Sequence, residues 1–340
     1  MATTLAQARS VLADAGAFGF PVDVSRRSDP VVGTRDSSRP EPFATLPRES
    51  AAIAGEVLAG ELRSSTKSDG SGEYEAMQLL RRPVARATAA ATLGAIDDDA
   101  RNEVADAALD WVDALGPVIA APAPPYRWSR ARRQEDAARK SLEGRIEALG
   151  DPTPARTATM LAAGTQVPIA AGAWLLVALA ERPELQERLA AGEVEPIWVV
   201  WEVLRLTPPT WATARVARRS LDLAGVRIPE GGVVVVSPLL LGRLPNLVPG
   251  GDGNPHQQLA RLEVERWRDP HVRPGAWLPF GLGASACPGR SVGLAQLVAL
   301  TKWATSASLH LAATPSTDQT RGIFPRPARI AVVRVEGGNT

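Results

Sequence analysis

Leu278 to Ala295 read LPFGLGASACPGRSVGLA. Gly281, Gly283 and Gly289 surround Cys287, the one cysteine of the chain, and Pro288 stands at the entry to a segment of helical character. Glycine adopts backbone conformations closed to other residues and lets the main chain approach a bound group closely. A thiol beside a helix N-terminus is expected to have a lowered pKa and to be available as thiolate, the form that ligates metals. A lone cysteine in a glycine turn is more often a small buried side chain, so the rest of the sequence has to decide. One cysteine rules out an intramolecular disulfide and a multi-cysteine metal site.

C-terminal to this loop, Ser291 to Ser306 reads as a helix and Ile330 to Val335 as a strand. N-terminal to it, Val226 to Val236 holds a turn at Pro229–Gly232 and then a β-branched run, a strand signature. Leu244 to Gln258 is rich in Pro, Gly and Asn and reads as loop. Before Pro208 the pattern is helical: Leu5–Ala15, Ala51–Arg63, Tyr74–Gly94, Asp99–Leu115, Trp128–Leu149, Thr157–Ala180, Pro183–Ala190 and Glu195–Leu206. Residues 19–47 carry five prolines and read as irregular, Ser64 to Gly72 as a loop, and Ala121 to Pro125 as a stiff connector. Many helices with a few short strands, and no βαβ alternation, predict a mostly α fold with small β-sheets (α+β) over residues 1–340 as one domain.

The 340 residues are 45% hydrophobic and 22% charged, an ordinary globular balance. With 38 basic against 37 acidic residues, the net charge of +1 gives no reason to expect a nucleic-acid partner. Only Lys67, Lys140 and Lys302 are lysines, an arginine bias that genome composition explains. Arg9 and Asp14 interrupt the first apolar stretch, which argues against a secretory signal. Residues 157–180 carry no charge and could span a bilayer by length, but Gly164, Gln166, Pro168 and Gly172 lie inside. A buried central helix, no membrane and a cytoplasmic protein are the expectation. His256, His271 and His310 have no metal-ligand spacing, no phosphate-binding glycine pattern is present, and Ser285 and Ser291 lack a nucleophile-elbow context. The nine tryptophans are expected in the core.

Phe280, Gly283, Cys287 and Gly289 match an F-x-x-G-x-x-x-C-x-G loop, and with it the chain resembles the cytochrome P450 superfamily. Three further pieces stand in that family's order. Glu202-Val203-Leu204-Arg205 matches its E-x-x-R helix, and Glu265-Arg266-Trp267 matches the segment that supplies the second arginine of a buried Glu–Arg–Arg network. Pro208, Arg215 and Gly225–Gly232 match its strand region. The resemblance implies haem b held by Cys287 as axial iron ligand, with Phe280, Gly283 and Gly289 shaping the loop and Arg215 on a propionate. It implies Glu202, Arg205 and Arg266 as a structural network. The substrate would be a bulky apolar small molecule of secondary metabolism, such as an antibiotic pathway, with electrons from a ferredoxin-type donor, or peroxide in their place.

The departures from the family pattern are specific. Its central helix carries A-G-x-[D/E]-T, whose acid–alcohol pair delivers protons to iron-bound dioxygen; here Ala163-Gly164-Thr165-Gln166-Val167 replaces both members with Gln166 and Val167. Thr165 is displaced by about 200° around the helix, and Pro168 should leave the Gly164 carbonyl without its intrahelical partner and kink the helix. Ser285 stands where Arg or His is usual, Leu5–Asp14 resembles the family's second helix rather than its first, and residues 19–47 are too short for its propionate-flanking helix. Atypical oxygen activation is therefore expected. Two other readings stay open: a haem-free auxiliary protein that activates a glycosyltransferase, and a cofactor-free cyclase on the same fold.

Overall fold

The computed structural model describes residues 1–19, 43–65, 72–121, 125–126, 128–245, 259–269, 278–283, 286–318, 324–326 and 328–334. Most of the irregular stretch 19–47 lies outside the described residues. So do the middles of the loops expected at 64–72, 121–125 and 244–258, together with Ser285, His256 and His271.

The helices in chain order are α1 (Leu5–Ala13), α2 (Arg48–Ser65), α3 (Ala76–Leu93), α4 (Asp98–Ile119), α5 (Arg130–Ala148), α6 (Pro154–Ala180), α7 (Pro183–Ala190), α8 (Pro196–Leu206), α9 (Pro238–Leu241) and α10 (Arg290–Ala304). Their starts follow local chemistry. Thr4 and Gln7 form a reciprocal capping box at α1, and Asp97 and Ser129 cap α4 and α5. Proline opens α6, α7, α8 and α9, where its missing N–H costs nothing.

Strands β1 (Phe18–Gly19), β3 (Thr213–Ala217) and β6 (Val233–Val236) form one antiparallel sheet in the order β1-β3-β6, with Phe18 opposite Ala217 and Arg215 opposite Val234. A second sheet orders β2 (Gly72–Glu75), β10 (Arg329–Arg334) and β7 (Ala307–Leu311) as β2-β10-β7. Two hairpins complete the described strands: β4 (Leu221–Leu223) with β5 (Val226–Ile228), and β8 (Ser316–Asp318) with β9 (Phe324–Arg326).

α6 runs through the middle of the helical layer against α3, α4, α5, α8 and α10. From Ile169 to Ala180 every residue but Trp174 is buried. Two glycines permit this packing. A Cβ at Gly172 would sit 2.8 Å from Leu80 and 2.9 Å from Leu300; one at Gly164 would sit 2.9 Å from the Thr88 methyl. Its 18-residue apolar window is long enough to cross a membrane and is 61% buried inside the protein. A separate core joins α1, β3 and β6 to the cysteine loop, through Val11, Leu12, Phe18, Ala217, Val234 and Leu278. Trp111 and Trp267 are fully buried, whereas Trp128 is exposed, against the expectation for all tryptophans.

Candidate functional site

The cysteine loop is a tight return of the backbone. Gly281 N–H donates to the Leu278 carbonyl, Ala286 N–H to Gly283, and Cys287 N–H to the Phe280 carbonyl at 2.8 Å. Gly281 and Gly283 have φ of 68° and 72°, in the left-handed region where a side chain is strained. Gly283 is needed for space as well. A Cβ there would lie 2.9 Å from Ala13 Cα and 2.9 Å from the Leu12 carbonyl oxygen, so the loop rests directly on the end of α1. On the other side, Leu46 N–H donates to the Pro288 carbonyl, and the half-buried Phe280 ring packs beside Gly293 with the Arg290 guanidinium over it at 5.7 Å.

Cys287 is reduced and solvent reaches its side chain. Its pKa is raised, not lowered as the loop sequence suggests: desolvation by surrounding protein outweighs the Gly289 N–H and the Arg290 charge, which both favour thiolate. Gly289 only caps α10 in a non-helical conformation, so a single helix end with one N–H does not overcome burial.

Between α8 and the turn Val264–Trp267 lies a buried charge network. The Glu202 side chain is 0% exposed and accepts from Arg205 Nε at 2.8 Å, Arg205 Nη2 at 2.6 Å, Trp267 Nε1 at 3.0 Å and the Glu263 N–H at 2.9 Å. Arg266 Nε lies 3.5 Å from Glu202, and its Nη2 lies 2.5 Å from Glu263. Arg205 also donates to the carbonyls of Gly242, Leu259 and Arg261. Arg205 sits on α8 one turn from Glu202, while Arg266 arrives on a 3-10 turn, Val264–Trp267. Sequence reasoning missed Trp267 and Glu263 as members; nothing distinguishes an indole donor from an apolar one before its neighbours are known. Burial, and after it the Arg205 charge, push the pKa of neighbouring Arg243 down.

Arg215 is buried on β3 and donates to Thr213 Oγ1 at 2.8 Å and the Ala214 carbonyl at 2.9 Å. Desolvation lowers its pKa, the signature of a guanidinium held away from water. β3 shares its core with Leu278 of the cysteine loop, so Arg215 and Cys287 belong to neighbouring elements.

On α6 the exposed positions of the N-terminal half fall four apart: Ala155, Thr159, Ala163 and Val167. That spacing is one face of a helix, and it carries no charge. Val167 is 42% exposed, Gln166 is half-buried, and Thr165 is fully buried with its hydroxyl turned into the core. The helix is continuous through Pro168. The Gly164 carbonyl that Pro168 leaves without an intrahelical donor accepts instead from Thr88 Oγ1 of α3 at 3.0 Å. Of the histidines, only His310 is among the described residues; it is exposed, with its Nε2 3.1 Å from Ser308 Oγ.

A helix bearing Glu202 and Arg205, an arginine-bearing turn packed on it, and a glycine-framed cysteine loop leading into α10 define a protein class. Residues 197–303, which hold all three of these features, match the family model for cytochrome P450. The chain is similar to pentalenene oxygenase of Streptomyces avermitilis, 30% identical over 152 residues, which is 38% of this chain and 32% of that one. It is also similar to cyclooctat-9-en-7-ol 5-monooxygenase of Streptomyces melanosporofaciens, 30% identical over 159 residues, 41% of this chain and 33% of that one. The chain thus matches about a third of the length of these curated relatives. In three dimensions it superposes on CYP175A1 from Thermus thermophilus with a TM-score of 0.68 and 23% identity, covering 85% of this chain and 74% of that one. That likeness establishes the fold.

Proposed function

We propose that this chain is a haem-thiolate oxidoreductase that acts on a bulky apolar small molecule in secondary metabolism, with Cys287 as the axial ligand of haem b. The observation that carries this reading is the cysteine loop itself. Two left-handed glycines and the Cys287 N–H bond to Phe280 present a solvent-accessible sulfur toward which the Gly289 N–H is directed. The residues fit the group. An accessible sulfur with the Gly289 N–H and the Arg290 charge beside it can ligate a cation, and the buried Arg215 guanidinium suits a carboxylate such as a propionate. Bound there by Cys287, haem would supply oxidative chemistry.

The uncharged face of α6, Ala155–Thr159–Ala163–Val167, offers an apolar wall that would exclude water and favour a hydrocarbon-like substrate. The relatives named for pentalenene and cyclooctat-9-en-7-ol support that class. Gln166 can orient a hydrogen bond but carries no acidic proton, and Val167 carries none at all. Proton delivery must then come through water or the substrate, or peroxide must replace dioxygen; a ferredoxin-type donor would supply electrons in the first case. The test is reconstitution with haemin and the reduced carbon monoxide difference spectrum. The reading requires a thiolate-type Soret band that Cys287→Ala abolishes. A folded protein that stays colourless after reconstitution overturns it.

A further inference from the structure

Pro168 lacks the N–H that would bond to the carbonyl of Gly164, four residues earlier. That carbonyl is nonetheless satisfied, from outside the helix. Thr88 on α3, 3% exposed, donates its hydroxyl to Gly164 O at 3.0 Å. The hydroxyl is itself oriented: Gln296 on α10, 1% exposed, donates Nε2 to Thr88 Oγ1 at 3.1 Å, which occupies a lone pair and leaves the hydroxyl proton for Gly164.

Other threonine hydroxyls bond within their own helix: Thr159 and Thr301, and Thr207 at the end of α8, each donate to the carbonyl four residues back, on Ala155, Leu297 and Val203. Thr88 reaches across to another helix instead. It can do so because residue 164 is glycine, since any Cβ would lie 2.9 Å from the Thr88 methyl. Proline at 168, glycine at 164, threonine at 88 and glutamine at 296 therefore interlock, on three different helices.

We propose that Thr88, held by Gln296, is the positioning residue that replaces the backbone donor Pro168 removes, and so fixes the turn of α6 that carries Gln166 and Val167. The relay also ties that turn to α10, the helix that begins just after the cysteine loop. Without the Thr88 hydroxyl, the part-buried Gly164 carbonyl is left without that donor, next to the exposed Ala163 and one turn from Val167.

The experiment is a double-mutant cycle of Thr88→Val and Pro168→Ala, read by urea unfolding of the full chain. Thr88→Val keeps the shape and removes the hydroxyl; Pro168→Ala restores the N–H. In the natural background Thr88→Val should raise the unfolding equilibrium constant about tenfold or more, as for a buried acceptor left unpaired. In the Pro168→Ala background the increase should be smaller by about fivefold or more, because Gly164 regains an intrahelical partner. Gln296 loses its acceptor in both backgrounds, so that loss cancels. Additive effects overturn the proposal. If Thr88→Val alone does not fold, the double variant decides: recovery supports the proposal, and failure of both overturns it.

A second arm rests on the haem-thiolate reading. In haem-loaded protein, Thr88→Val should change the ferric spin-state balance in the Soret region, Thr88→Ser should not, and Pro168→Ala should restore it. An unchanged spin-state balance in haem-loaded Thr88→Val overturns the positioning role. Failure to bind haem removes only this arm and leaves the unfolding cycle to decide.

Discussion

Replacing Glu202 by alanine isolates the energetic centre of the molecule. Its carboxylate sits at 0% exposure between Arg205 and Arg266, and both of its oxygens are engaged. In Glu202→Ala the Arg205 guanidinium keeps its three carbonyl acceptors but loses the charge that balances it. Breaking one partner of a buried ion pair costs about 3–5 kcal/mol. The Glu263 N–H and the Trp267 indole N–H also lose their acceptors, at about 1 kcal/mol or more each. The total reaches roughly 5 kcal/mol or above, against a total stability of about 5–15 kcal/mol for a protein of ordinary size. Glu202→Ala should therefore fail to accumulate as folded protein, while Glu202→Gln, which keeps one acceptor oxygen and the volume, should fold with a lowered urea midpoint. The assay is soluble yield together with urea unfolding followed by tryptophan fluorescence, to which Trp267 and Trp201, 5.3 Å apart, should contribute. A soluble Glu202→Ala protein with an unchanged midpoint and slope would refute the reasoning.

Three further outcomes are expected. Gly283→Ala combines a φ of 72° with backbone contacts at 2.9 Å that cannot yield, so it should detach the cysteine loop from α1 and lower thermal stability more than Gly172→Ala, which meets only leucine side-chain ends; equal losses in a thermal melt would contradict the packing argument. Burial opposes ionisation of Glu265, but the hydrogen bond and charge of Arg188, a backbone hydrogen bond and the Arg268 charge together outweigh it and hold the pKa below the usual carboxylate value. The stability from this pair is therefore complete above the ordinary carboxylate pKa and fades as pH falls through the depressed value; Glu265→Gln should flatten that acid limb of a stability–pH profile, and salt should flatten it too. With haem loaded and a surrogate reductase, NADPH oxidation should run largely to hydrogen peroxide, because Gln166 and Val167 deliver no proton, a function of the kind worth about 10²–10⁴ in rate. Gln166→Asp with Val167→Thr should raise product per NADPH, and tight coupling in the natural protein would show the pair to be dispensable.

Much of the fold was legible because its signals are local. Periodic apolar spacing placed α6, α8 and α10 within a few residues of where they form, and the β-branched run at Val233–Val236 formed a strand. Proline and capping residues marked the helix starts. The cysteine loop was legible for the same reason: its glycines and its N–H-to-carbonyl return lie within ten residues of one another. The thiol's pKa was not, since local sequence shows the helix start that lowers it and conceals the packing that raises it. Nor does sequence separate Trp128, exposed, from Trp267, buried, because burial depends on which elements close over a side chain.

The amino-acid sequence by itself determined most of the helices, the glycine turn around Cys287 and the absence of an N–H at Pro168, since each depends on backbone chemistry within a turn or two; it did not show β2, which forms at Gly72–Glu75 where loop and then helix are expected. The tertiary structure alone decided that Thr88 would meet Gly164 and that Gln296 would meet Thr88, across separations of 76 and 208 residues. It alone turned Trp267 and the Glu263 N–H toward Glu202. A hydrogen bond is made over about 3 Å, and only packing brings distant parts of a chain that close.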